Sequence, residues 1–146
     1  MIRFASGGNG HAKPALWEFF DYKEGNQNPI ERWYQALTEE EQDVFESLLK
    51  TNGKAELPTG WTGCKMLQGE AKSEQIWEWR FTGGSVQHRL LGIFGPGRKQ
   101  ATFLIGCNHK QHVYQPRDCI ITAIKRARAV REGRAELDGR TARSDQ

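Results

Sequence analysis

The segment 76–94 places the strongest constraint on how this 146-residue chain folds. Its first six residues, IWEWRF, alternate along the chain, so that aromatic side chains fall on one face of a strand and charged side chains on the other. The sequence TGGS then predicts a hairpin turn, and VQHRLLGIF predicts the return strand. If Phe81 pairs with Val86, then Glu78 lies opposite Arg89. The segment therefore predicts an antiparallel hairpin with one aromatic and one charged face.

The charged face of this hairpin carries Arg80, Gln87 and Arg89. We expect the helices of the protein to cover the aromatic face, and the charged face to have no cover. Two interpretations of the cations stay open. Each Arg is an ordinary solvated group, with Glu78 neutralising Arg89 across the strands, or the cations together form a binding site.

Further strands and helices are predicted on both sides of the hairpin. Residues 15–22 and 100–107 read as strands, because they are rich in aromatic and β-branched side chains. Asn28-Pro29 and Thr38, the latter with Glu41 three residues later, are typical helix starts. A last helix begins after Pro116, with an apolar stripe that ends at Val130. We predict an α+β fold: an N-terminal strand and helical hairpin, a twisted antiparallel sheet of about four strands, and a C-terminal helix.

The chain is long enough for one domain. We predict a flexible arm at 1–14, a folded domain at 15–132 and a disordered, polar tail at 133–146. No apolar run approaches twenty residues, and the N-terminus lacks the apolar core of a secretory signal, so we expect a cytoplasmic protein with no membrane partner. Its three cysteines read as free thiols.

Charge is distributed unevenly along the chain. Residues 76–131 contain ten Lys and Arg but only two Asp and Glu, whereas the whole protein has a formal net charge of +3. A folded, basic segment of this kind favours a polyanionic partner. Arginine suits bidentate contact with phosphate, lysine stabilises developing charge, and Tyr or His can transfer a proton. The candidate cluster comprises Arg80, Arg89, His109, Lys110, His112, Tyr114 and Arg117.

Two other interpretations involve Cys, His and Trp side chains. Cys107, His109, His112 and Cys119 invite a zinc site, but their spacing, C-x-H-x2-H-x6-C, differs from the common ligand pairs, and we expect neither a metal nor another cofactor. The tryptophans of the middle region are candidates for base stacking, but their alternation with charged residues favours core packing.

Three stretches of the chain resemble the RelE/ParE toxin superfamily, and specifically its HigB-type, phage-derived branch. The strand IWEWRF resembles the family's LWELR, and HRLLGIF resembles YRVLYFF. FLIGCNHKQHVYQPRDCIITAIKRA resembles the last strand, basic turn and closing helix of the family. Gly106, Lys110, Val113 and Tyr114 match the pattern G-x3-R-x2-V-Y, with Lys in place of Arg. The resemblance covers residues 15–131.

The resemblance implies a RelE-like fold and the toxin of a type II toxin–antitoxin module. Such a toxin is a metal-independent, ribosome-dependent mRNA endonuclease that inhibits translation and is neutralised by a cognate antitoxin, here expected to be of the helix-turn-helix type. It implies that Arg89 contacts the scissile phosphate, that Lys110 stabilises charge, and that Tyr114 stacks on a base or moves a proton. The expected RNA-binding residues are Lys65, Arg80, His109, His112 and Arg117. The alternative is a non-catalytic binding module, either a gyrase inhibitor or a phage-derived host-regulatory protein.

Overall fold

The computed structural model describes residues 16–55, 61, 63–110 and 113–141, and of Lys110 it describes the backbone alone. Within these residues the chain forms three α-helices, one 3₁₀ helix and a sheet of seven strands. The predicted arm at 1–14 lies outside the described residues. None of the described helices combines the length and the apolar character that crossing a bilayer requires.

The elements follow in the order strand, two helices, strand, 3₁₀ helix, four strands, helix and strand. Their bounds are β1 Glu18–Tyr22, α1 Pro29–Gln35, α2 Glu39–Gly53, β2 Cys64–Met66, the 3₁₀ helix Gly69–Glu74, β3 Trp77–Gly83, β4 Val86–Phe94, β5 Gln100–Lys110, β6 Val113–Gln115, α3 Cys119–Arg131 and β7 Leu137–Arg140.

The sheet is mixed, and its strand order is β2-β3-β4-β5-β1-β7. Strand β6 pairs with the C-terminal end of β5. Strand β1 runs parallel to β5, and all other neighbours are antiparallel. The predicted antiparallel sheet of about four strands, and with it the RelE-like architecture, is therefore wrong. The prediction missed β2, β6 and β7 because these short strands carry no alternating pattern, and it missed the parallel pairing because pairing between distant segments leaves no local signal.

Helices α1 and α2 begin where the sequence predicts. The Asn28 side chain accepts a hydrogen bond from the Glu31 amide, and Pro29 follows at the first helical position. Thr38 and Glu41 form the predicted capping box at the start of α2. Both helices pack on the aromatic face of the sheet, where Phe45 and Trp79 are fully buried. The prediction that the tryptophans pack in the core is confirmed for Trp79.

Gly106 allows α1 to approach the sheet closely. A β-carbon at this position of β5 would lie 2.3 Å from the Trp33 ring of α1. Since a contact that short forces either the ring or the backbone to move, glycine is required here for packing. A residue that the sequence motif associates with function thus has a structural explanation.

Helix α3 packs on the other face of the sheet. Its buried residues Ala123 and Ala127 join Leu91, Leu104 and Cys107 in a second core cluster. The expectation that the charged face has no cover is therefore wrong: α3 covers the part of this face that carries Leu91 and Cys107. The apolar stripe of α3 needs a partner surface, and the face opposite α1 and α2 supplies it.

The β3–β4 hairpin has a tighter turn than predicted. Its turn residues are Gly84 and Ser85, and Gly83 pairs with Val86. Gly84 has φ +59°, in the left-handed region that short hairpin turns need. Arg80 therefore lies opposite Arg89, whereas the prediction placed Glu78 there. Because the register differs by two residues, the predicted sharing of one face by Arg80, Gln87 and Arg89 is unaffected.

Residues 137–140 form β7 within the segment for which the sequence predicts a disordered tail. The Arg140 guanidinium explains much of this order. It donates to both carboxylate oxygens of Asp21 at 2.8–3.0 Å and to Glu31 at 3.0 Å, and it lies over the Tyr34 ring. These contacts join β7 to β1 and α1. The ordered unit therefore extends past residue 132, through a buried ion pair that the polar composition of the tail does not reveal.

A buried carboxylate–imidazole contact joins α2 to β4. Nε2 of His88 contacts the Glu41 carboxylate, and both side chains are more than nine-tenths buried. The hydrogen bond with His88, followed by the bond from the Thr38 backbone, lowers the pKa of Glu41. Glu41 therefore contributes stability above its unfolded pKa, and this contribution is lost as the pH falls through the lower, folded pKa.

Replacement of Glu41 by Gln is expected to lower the free energy of unfolding at pH 7 by about 1–2 kcal/mol, because a charge-assisted hydrogen bond is weakened. The difference between variant and parent should shrink as the pH is lowered past about 4. Urea unfolding across this pH range measures both effects. Glu40→Gln, an exposed position in the same helical turn, is the matched control. Equal losses for the two variants would contradict the described contact.

Candidate nucleic-acid interface

The charged face of the sheet is organised around the carboxylate of Glu78. This side chain is 2% exposed, and three groups meet at it. Arg80 donates from Nε to Oε1 at 2.5 Å, Arg89 Nε lies 3.5 Å from the same oxygen, and the Tyr114 hydroxyl donates to Oε2. Strands β3, β4 and β6 each supply one group to this Glu78 cluster. The cluster therefore joins three of the residues that the sequence selected.

Arg89 is held on all three of its nitrogens. Besides the contact of Nε with Glu78, Nη1 donates to the His88 carbonyl at 3.1 Å and Nη2 donates to Gln87 Oε1 at 3.2 Å. The Arg89 side chain is 10% exposed. The sequence predicts an uncovered face for this arginine, whereas the structure places it in a buried network. An arginine held in this way is better placed to support neighbouring side chains than to bind a ligand directly.

Tyr114 lies on β6, opposite His109 in the β5–β6 hairpin, and the two ring centroids are 5.0 Å apart. Burial, and then the hydrogen bond to Glu78, raise the pKa of the Tyr114 hydroxyl. This hydroxyl stays protonated and donates to Glu78, so it is a poor proton acceptor. Of the two roles that the resemblance implies for Tyr114, the arrangement favours ring contact over proton transfer.

Arg80 and Lys65 are the exposed cations of this face. Arg80 is 42% exposed at its side chain, and its recorded contact within the described residues is the one from Nε to Glu78. Lys65, on the edge strand β2, lies directly opposite Glu78 in the β2–β3 register and is exposed. Both cations therefore border the Glu78 cluster and face solvent. A polyanion would meet them before it met Arg89.

Of the remaining predicted residues, the described ones lie at or near the β5–β6 hairpin. The backbone of Lys110 ends β5 and pairs with Val113. The Lys110 side chain and all of His112 lie outside the described part of the chain. Arg117 is exposed in the turn before α3. The structure thus brings Arg80, Arg89 and Tyr114 together at one carboxylate and shows His109 beside Tyr114.

From the sequence, Glu78 is predicted only as a neutralising partner for Arg89. Its contacts with Arg80 and Tyr114 were not predicted. The alternation of IWEWRF does place Glu78 and Arg80 two residues apart on one strand face. That spacing was the available signal. The hydrogen bond from Tyr114 to Glu78 had no such signal, because it depends on the antiparallel pairing of β6 with β5.

Among the four residues of the zinc interpretation, the described ones have other surroundings. Cys107 and Cys119 are buried in the core under α3, and the Cys107 thiol donates to the Arg89 carbonyl at 3.2 Å. The neighbouring Cys119 and burial raise the pKa of the Cys107 thiol. Within the described residues, no group of three or more His, Cys, Asp and Glu side chains is arranged to hold a metal ion.

Comparisons with known proteins give no identity for the chain. No protein-family model, no curated protein and no solved structure matches it. The resemblance to the RelE/ParE superfamily therefore stays a prediction that rests on the three stretches of sequence given above.

Proposed function

We propose that this protein inhibits translation by acting on single-stranded segments of mRNA at the ribosome. The observation that carries the proposal is the Glu78 cluster, with Arg80 exposed at its edge and the Tyr114 ring beside His109. A phosphate next to a cation and a base next to aromatic rings are the contacts that single-stranded RNA makes with proteins.

Different residues of this face contact the phosphates and the bases of the RNA. Arg80 binds a backbone phosphate, while Lys65 and Arg117 attract the flanking phosphates. The rings of His109 and Tyr114 offer a surface for an unpaired base. A single strand is favoured over a duplex, because stacking of this kind needs a base that is free of its pairing partner.

Cleavage of the bound strand is the catalytic part of the proposal. Attack of the ribose 2′-hydroxyl on the adjacent phosphorus needs alignment, proton transfer and charge stabilisation. Because the Tyr114 hydroxyl donates to Glu78, His109 is the better proton-transfer group among the described residues. Lys110 and His112, which follow His109 in the sequence, keep the roles in charge stabilisation and RNA binding that the resemblance implies.

The partner and the compartment belong to the same proposal. An mRNA endonuclease that acts on ribosomes works in the cytoplasm and has to be restrained in the cell that makes it. A cognate antitoxin, of the helix-turn-helix type, is the partner we propose for this restraint. A small reading frame of that type beside the coding sequence of this chain would support it.

A second candidate is a non-catalytic binding module that inhibits gyrase or regulates a phage host. Two observations favour it. The mixed seven-stranded sheet departs from the expected RelE-like architecture, and both Arg89 and the Tyr114 hydroxyl are engaged by Glu78. A module of this kind binds through the same exposed residues without cleavage.

Induced expression of the protein is expected to stop protein synthesis before DNA synthesis. Pulse labelling with an amino acid and with thymidine measures the two rates in the same culture. The purified protein is also expected to bind a labelled single-stranded RNA in the presence of EDTA, since side-chain charge and stacking supply the contacts.

An initial stop in DNA synthesis with translation intact would replace this proposal with the gyrase-type module. Loss of RNA binding in EDTA that zinc or magnesium restores would show that the interface needs a metal ion.

A further inference from the structure

The two arginines of the Glu78 cluster differ in burial and in how many of their nitrogens have a partner. Arg89 has a partner on each of its three nitrogens, and its side chain is 10% exposed. Arg80 donates from Nε to Glu78, its side chain is 42% exposed, and within the described residues Nη1 and Nη2 have no hydrogen-bond partner. One arginine is thus fixed inside the network, and the other extends from it.

The contact with Nε limits how the Arg80 guanidinium can be used. The group is planar, and its end-on pair of donors, one from each terminal nitrogen, matches two oxygens of a phosphate. With Nε bonded to Oε1 of Glu78 at 2.5 Å, this end-on pair is left for a ligand. Glu78 is itself held by Tyr114 and Arg89 from two other strands, so its carboxylate is a fixed anchor.

We infer that Glu78 is a positioning residue, which holds Arg80 by its Nε and presents the two terminal nitrogens as a fork to one phosphate of single-stranded RNA. This inference rests on the proposed function for the identity of the ligand. It assigns the phosphate contact to Arg80 and makes Arg89 a support for the Glu78 carboxylate. A restrained guanidinium loses less conformational freedom on binding than a free one, which is the advantage that Glu78 provides.

The positioning role and the change in net charge predict opposite effects of Glu78→Gln on the affinity for RNA. The variant removes a negative charge from a surface that binds a polyanion, so charge alone strengthens RNA binding. Positioning weakens it, because a neutral amide oxygen accepts more weakly than a carboxylate and holds the fork of Arg80 less firmly. We expect about tenfold weaker binding of a fluorescein-labelled, twelve-nucleotide single-stranded RNA, the loss of roughly one well-placed charge-assisted contact. Fluorescence anisotropy at two salt concentrations measures the dissociation constants.

Glu74 provides the matched control for this measurement. It also pairs with two arginines, Arg128 at 3.1 Å and Arg131 at 3.2 Å, but it lies on the 3₁₀ helix against α3. Glu74→Gln is expected to bind the RNA as tightly as the parent or more tightly. Arg80→Lys keeps the charge, lacks the fork and changes an exposed position, so it should fold and also bind about tenfold more weakly.

A second readout of positioning needs no RNA. The ¹H–¹⁵N signal of Arg80 Nε should be protected from solvent exchange in the parent and should be clearly less protected in Glu78→Gln. Unchanged protection, or RNA binding by a folded Glu78→Gln protein that equals or exceeds that of the parent, would overturn the inference. If Glu78→Gln does not fold, Arg80→Lys with parental affinity overturns it.

The two proposals can fail separately. If the parent protein binds no RNA, the proposed function fails, and the exchange measurement alone decides whether Glu78 holds Arg80. If the parent binds RNA and Glu78→Gln binds it more tightly, the proposed function stands and the positioning role of Glu78 is rejected.

Discussion

Replacement of Arg89 by alanine is expected to lower the free energy of unfolding by about 3 kcal/mol and the melting temperature by roughly 10 °C. The side chain is buried, and its guanidinium contacts Glu78, the His88 carbonyl and Gln87. Its removal leaves a buried carboxylate with one cation fewer, and breaking a buried pair in this way is costly. Arg80 and Tyr114 still contact Glu78, which keeps the loss at the lower end of the usual range. Chemical denaturation with the melting curve measures both values.

Arg98→Ala is the matched control for the Arg89 prediction. Arg98 is exposed in the turn between β4 and β5, at the opposite end of β4 from the hairpin turn near Arg89, and its removal should change stability by less than about 0.5 kcal/mol. Arg126 of α3 is a poorer control, because it donates to the Leu104 carbonyl at 2.8 Å and lies over the Tyr22 ring. Equal stability of the Arg89→Ala and Arg98→Ala proteins would show that Arg89 is a solvated surface group.

A double variant tests the reason given for the loss. If the cost of Arg89→Ala comes from the uncompensated charge of Glu78, then adding Glu78→Gln should cost less than its separate effect. Strict additivity would show that packing, and not the buried charge, causes the loss. The comparison also matters for function, since reduced toxicity of an unstable Arg89→Ala protein says nothing about contact with RNA.

Replacement of Arg80 by alanine is expected to reduce cleavage of RNA, and with it the inhibition of translation, by roughly 10²–10³. The physical reason is the loss of a charge-stabilising group at the phosphate. The side chain is 42% exposed but donates to the buried Glu78 carboxylate, so stability should fall by about 1–2 kcal/mol, less than for Arg89→Ala. Cleavage of a labelled RNA on programmed ribosomes, together with a melting curve, separates the two effects.

The Arg80 result has two informative alternatives. If Arg80→Ala cleaves RNA as fast as the parent while Arg98→Ala does the same, the exposed edge of the Glu78 cluster is not the phosphate site. If neither the parent nor the variants cleave RNA, but Arg80→Ala binds it more weakly than Arg98→Ala, the protein is a binding module that uses the same edge.

Features that depend on neighbours along the chain could be predicted from the sequence alone. The Asn28-Pro29 start of α1 and the capping box of Thr38 and Glu41 are local hydrogen-bond patterns, and they were predicted to the residue. The alternation in β3 and β4 determined that Arg80 and Arg89 share a face, since side-chain parity survives a register change of two residues.

The tertiary structure decided where these charged residues are buried and what they contact. The position of α3 on the charged face, the return of β6 along β5 and the docking of β7 through Arg140 depend on segments far apart in the chain. Contacts between such distant segments leave no local signal in the sequence. Arg89 and Tyr114 could be selected as candidates from the sequence. Their shared contact with Glu78, and the exposure of Arg80 to solvent, depend on the fold.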